Sequence, residues 1–172
     1  MANKILVVGF PRSGTSLVMQ TLVHMRVHVF GVPHPPNRDP SMQPDNKPFW
    51  EYPDTLSGDL SGLGDSACAV KVSLRKAIEK IVLDPTDKVI FCKRNPEKTA
   101  SSMATWNIGS SYERNLKLIN QWYDRFYKWV GDTPYIEGDL DESLAEAERV
   151  AGVIRDFVGG DADLTKALEN IV

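Results

Sequence analysis

The stretch GFPRSGTSL, residues Gly9 to Leu17, constrains the fold more than any other part of the chain. It follows the apolar run Ile5-Leu6-Val7-Val8 and leads into a helical pattern that reaches Met25. An apolar strand, a glycine turn and a helix in direct succession form the opening unit of an α/β sheet. Gly9 and Gly14 let the backbone turn tightly and present successive amide N–H groups, and the helix adds its positive end, so the turn is an anion cradle. The pattern is not the usual nucleoside-triphosphate loop, G-x-x-x-x-G-K-[ST]. Thr15 and Ser16 follow Gly14, the lysine is missing, and Arg12 stands inside the loop. A glycine pair alone favours a turn without a ligand, so a second feature has to decide.

That feature is KRNPEKTASSM, residues 93–103. Asn95, Pro96 and Glu97 supply an N-cap, a first-turn proline and a first-turn acid, which predict a helix from Pro96 towards Trp106. Arg94 then stands at the end of the preceding strand, Lys88 to Cys92. Ser102 lies two helical turns along, so a guanidinium and a hydroxyl face the same space beside the helix start. Together they suit a second phosphate.

The rest of the chain continues the alternation. Val27 to Phe30, Cys68 to Ser73 and Pro134 to Glu137 read as strands. Tyr112, Leu116, Ile119, Tyr123, Phe126 and Val130 share one face of a helix over residues 111–130, and Leu144, Ala147, Ala151, Ile154 and Val158 stripe a last helix ending at Gly159-Gly160. This order predicts a three-layer α/β/α domain with a central parallel sheet, of the phosphate-loop type, and a ligand at the carboxyl ends of the strands. At 172 residues one domain is expected over the whole chain, with a loop segment at 31–64. Seven prolines between Gly31 and Pro53 exclude regular structure there.

Charge and composition narrow the function. The net charge of −3 hides an asymmetry: residues 1–38 carry four bases and no acid, whereas residues 131–172 carry eleven acids against three bases. The N-terminal part attracts an anion, and no broad basic face speaks for nucleic acid. Cys68 and Cys92 sit in apolar segments without metal-ligand spacing, which implies buried thiols in a reducing compartment and no metal site. No run of apolar residues is long enough to span a bilayer, so a cytoplasmic location is expected.

On these motifs the sequence resembles the sulfotransferase family, over most of its length. GFPRSGTSL is similar to the family's 5′-phosphosulfate loop, and CKRNPEKTASSM to its 3′-phosphate motif, an arginine and a serine eight residues later, here Arg94 and Ser102. NKPFWEYPD resembles the N-P-x-G-[FY]-[FW]-E segment of bacterial members, without its glycine. VKVSLR resembles the strand that carries an active-site lysine, here Lys71, and YIEGDLDESLAEAERVAGVIRDFVGG resembles the late strand, acidic loop and helix. The resemblance implies 3′-phosphoadenosine 5′-phosphosulfate (PAPS) as donor and adenosine 3′,5′-bisphosphate (PAP) as product. It also implies an acceptor that bears a hydroxyl or amine, such as a small molecule or carbohydrate.

Such a donor has no γ-phosphate, so the missing lysine has nothing to grip. Arg12, Ser13, Gly14, Thr15 and Ser16 would hold the 5′-phosphate, with Arg94 and Ser102 on the 3′-phosphate. Lys71 and Arg12 would stabilise the departing bridge oxygen. For the base, the family uses a histidine or a glutamate. Val72-Ser73 stands where some members have Thr-His, which leaves Glu51 first and His34 second as candidates. A phosphate-loop kinase of small molecules or nucleotides and a non-catalytic nucleotide-binding domain are the alternative readings.

Overall fold

The computed structural model describes residues 4–31, 60, 68–106, 108 and 110–159. Five parallel strands form one sheet: β1 (Ile5–Gly9), β2 (Val29–Phe30), β3 (Ala69–Ser73), β4 (Lys88–Lys93) and β5 (Tyr135–Asp139), in the order β2-β3-β1-β4-β5. β1 is central, with Gly9 opposite Ser73 on one side and Cys92 on the other. All five residues of β1 are buried, as its unbroken apolar run requires of a strand covered on both faces.

Alternate residues of the strands feed two cores, one on each face. Ile5, Val7, Ala69, Ile90 and Cys92 pack with Val18, Met19 and Leu22 of α1 (Thr15–His24) and with Ala151 and Ile154 of α6 (Ala147–Val158). Leu6, Val8, Val70, Val72, Val89 and Phe91 pack on the other face, against α2 (Leu74–Lys80), α3 (Pro96–Thr105) and α4 (Tyr112–Val130). The predicted three layers are therefore present. The centre of the second core is aromatic: Phe91 stacks on Phe126 with ring centroids 3.9 Å apart and meets Tyr123 edge-on at 5.3 Å. Trp122, Tyr123 and Phe126 of α4 are thus packing residues, and Cys68 and Cys92 are buried free thiols.

Two local features differ from the sequence expectation. The last helical stretch is two helices, α5 (Leu140–Ala145) and α6, divided at Glu146, whose φ of −131° and ψ of 49° are not helical. α5 starts earlier than the apolar stripe implies because the Asp139 carboxylate caps it, accepting from the amides of Asp141 at 2.8 Å and Glu142 at 3.1 Å. α2 was not anticipated. Its seven residues are few, yet Leu74, Ala77 and Ile81 are buried at helical spacing, the signal that would have found it.

Candidate functional site

The strand order fixes where a site can form. From β1 the chain runs through α1 to the β2–β3 side of the sheet, and from β4 it runs through α3 and α4 to β5. Neighbouring strands whose connections leave in opposite directions open a crevice at their carboxyl ends. The loop after β1 and the start of α3 face each other across it.

The β1–α1 loop is bent by necessity. Arg12 has φ 71° and Gly14 has φ 96°, and a Cβ on Gly9 would lie 2.8 Å from the Cys92 carbonyl oxygen of β4. Ser13 is fully buried, and both its amide and its hydroxyl donate to the Phe10 carbonyl, at 3.2 and 2.8 Å, which closes the turn. Gly14 caps α1 without a side-chain hydrogen bond, and the first turn holds no acid. The helix therefore offers its positive end uncompensated, with Thr15 and Ser16 in its first turn.

Opposite, α3 begins as its sequence dictates: the Asn95 side chain accepts from the Lys98 amide at 2.9 Å, with Pro96 in the first turn. This cap turns the chain at Arg94. The Arg94 Nη1 donates to the Arg12 carbonyl oxygen at 3.3 Å and Nη2 to the Asp141 carboxylate at 3.2 Å. Its Nε is buried with no hydrogen-bond partner among the described residues. Arg12 reaches back across the crevice, its Nε donating to the Ser102 hydroxyl at 3.1 Å and its guanidinium 5.0 Å from the centre of the Trp106 ring. Burial first, and the Arg94 cation second, hold the Arg12 guanidinium below its ordinary pKa.

Arg12, Arg94 and Ser102 therefore converge on one open cleft of about 620 Å³, whose walls also include Glu97, Lys98, Ser101 and Tyr112. Lys71 and Ser16 make a second contact outside this wall, Nζ to Oγ at 3.3 Å, from β3 to the start of α1. Glu51 and His34, the base candidates, lie outside the described residues, as does the NKPFWEYPD segment. Sequence reasoning missed Lys98, Asp141 and Tyr123 as parts of this site. Lys98 had a signal, since it stands one turn before Ser102 on α3. Asp141 had none, being one acid among eleven in an acidic tail. Among the described residues no His, Cys, Asp or Glu group could hold a metal ion, and no helix is long and apolar enough to cross a membrane.

No protein-family model and no curated protein matches the sequence. Solved structures do match in fold. The sulfotransferase STF9 from Mycobacterium avium superposes with a TM-score of 0.62 at 14% identity, over 96% of this chain and 66% of that one. Mouse sulfotransferase SULT7A1, complexed with PAP, gives 0.60 at 16% identity, over 97% and 62%. Retinol dehydratase, in complex with androsterone and the inactive cofactor PAP, gives 0.57 at 12% identity, over 96% and 62%. The chain thus has the sulfotransferase fold and spans just under two thirds of the length of these proteins.

Proposed function

We propose that this chain binds PAPS and transfers its sulfuryl group to a hydroxyl or amine of an acceptor, releasing PAP. The observation that carries this reading is the convergence of Arg12, Arg94 and Ser102 on one cleft between β1 and β4, in a fold whose solved counterparts include proteins complexed with PAP. Two features of the cleft suit a ligand with two phosphates. The start of α1, which has no side-chain cap hydrogen bond, favours one anion, and Arg94, whose buried Nε has no hydrogen-bond partner among the described residues, favours another.

The chain's residues then divide by task. The α1 amides, Arg12, Thr15 and Ser16 hold the 5′-phosphate, while Ser13 keeps the loop closed through Phe10. Arg94 and Ser102 hold the 3′-phosphate. The Ser102 hydroxyl accepts from Arg12 Nε, which leaves its own hydrogen to donate to that phosphate. Lys71, beside Ser16, adds positive charge where the leaving oxygen develops negative charge. The donor supplies the sulfuryl group. The protein contributes alignment for an in-line displacement and stabilisation of charge, with Glu51 as the base that takes the acceptor's proton. The acceptor is a small molecule or carbohydrate. The complex of retinol dehydratase with androsterone supports the small-molecule reading.

The test is thermal stabilisation followed by transfer. PAP is expected to raise the melting temperature at concentrations where AMP does little, without magnesium, since a ligand that binds only the folded state stabilises it. Arg94→Ala is expected to erase that difference. Label passing from radioactive PAPS to an acceptor would establish the reaction. Equal shifts with PAP and AMP would remove the role given to Arg94 and Ser102; a shift with ATP that needs magnesium would overturn this reading in favour of a kinase, and PAP binding without any transfer would mark a binding domain.

A further inference from the structure

The cations of the cleft already face a carboxylate of the chain itself. Asp141 stands in the first turn of α5, its amide held by the Asp139 carboxylate at 2.8 Å. One of its oxygens accepts from Arg94 Nη2 at 3.2 Å and the other from Lys98 Nζ at 2.9 Å, so it spans a cation from the end of β4 and a cation from α3. Both of these cations line the cleft. Among the described residues, the cleft wall also carries Arg12 and Glu97, and Asp139 stands at the start of α5.

We propose that Asp141 is an internal substitute for the ligand's 3′-phosphate, which must displace it from Arg94 and Lys98, so that Asp141 sets the affinity and selectivity of this subsite. The inference rests on the donor-site reading above and adds Lys98 to the residues that hold the 3′-phosphate. A carboxylate and a phosphate monoester compete for the same guanidinium and ammonium donors, and the dianion is the stronger acceptor. The pairing is built to be broken. Asp141 is one third exposed and Lys98 more than half, and ion pairs so wetted are weak. The Arg94 Nε, which the carboxylate leaves without a partner, is a donor that an entering phosphate can use. The Lys98 hydrogen bond, and then Arg94, hold the Asp141 carboxyl below the usual carboxylate range, which keeps it anionic at neutral pH.

The consequence has an unusual sign: removing this charge strengthens binding. Calorimetric titration of the full chain and its Asp141→Asn variant with PAP, AMP and inorganic pyrophosphate tests it, with Asp141→Ser as a second variant and melting curves to verify folding. Asp141→Asn is expected to tighten PAP by about fivefold, the scale of one screened charge contact, and to leave AMP nearly unchanged. The gain should shrink as salt is raised. If the parent chain prefers PAP to AMP and neither folded variant tightens PAP, Asp141 is a structural latch between α3 and α5, and this inference falls while the donor reading stands. If neither protein prefers PAP to AMP but the variants bind pyrophosphate more tightly, the donor reading falls and the displaced carboxylate stands. Absence of any tightening for any of the three ligands overturns the inference.

Discussion

The Tyr123 hydroxyl closes on both backbone groups of Arg94, donating to its carbonyl oxygen at 3.0 Å and accepting from its amide at 3.3 Å. Tyr123 is fixed in turn by the ring of Phe91 and lies 5% exposed in the core. The aromatic core thus reaches the cleft through one hydroxyl, at the residue where β4 gives way to α3. Tyr123→Phe keeps the packing and leaves both of these groups unpaired. It is expected to lower stability by about 1–3 kcal/mol, the cost of stranding buried polar groups. It should also narrow the PAP-to-AMP preference, because the Arg94 backbone loses its anchor while the α1 loop is untouched. Urea denaturation and calorimetry measure the two effects; an unchanged preference would confine Tyr123 to the core.

The close approach of β1, its loop and β4 depends on Gly9. A Cβ there would lie 2.5 Å from Ser13 Oγ, 2.8 Å from the Cys92 carbonyl oxygen and 2.9 Å from Thr15 Cγ2. Side chains can yield, but the Cys92 carbonyl belongs to the neighbouring strand and cannot. Gly9→Ala is expected to cost about 1–3 kcal/mol of stability, the usual penalty of overpacking. It should weaken 5′-phosphate binding as the loop shifts, so AMP affinity falls along with PAP. A urea midpoint within error of the parent would show that the loop accommodates the methyl.

The chemical roles of Glu51 and Lys71 separate by kinetics. Glu51→Gln is expected to lower turnover by about 10²-fold or more, the contribution of a general base, with PAP affinity kept. Lys71→Ala should lower turnover and also donor affinity, since it removes charge beside Ser16. Steady-state rates on an identified acceptor decide. Near-normal turnover in Glu51→Gln would pass the role to His34.

Burial pushes the Cys92 thiol up to about 12, against a smaller opposing effect of the Lys71 charge. The folded state therefore holds the thiol proton more tightly than the unfolded chain, whose thiol has its ordinary pKa of 9.0. Stability from this group is intact below pH 9.0 and falls as pH rises from there towards 12. Cys92→Ala should flatten that alkaline slope, as measured by denaturation at stepped pH. The native thiol should also resist alkylation at pH 8; rapid labelling of Cys92 in the folded protein would contradict its burial.

Local chemistry was legible in the sequence because its partners are close along the chain. The apolar run of β1, the glycines of the loop, and the Asn95 cap that accepts from Lys98 three residues on are each written within about ten residues, and the alternation of such units fixes a parallel sheet with helices on both faces. The contacts that make the site are not local. Arg12 meets Ser102 across 90 positions, Lys71 meets Ser16 across 55, and Arg94 meets Asp141 across 47. Strand order decides which of these side chains share a crevice, and hydropathy cannot give that order, because β1, β3 and β4 are alike in having apolar, buried centres. The same limit hid Asp141: in the sequence it is one more acid in an acidic tail, and only the placement of β5 beside β4 brings its carboxylate onto Arg94.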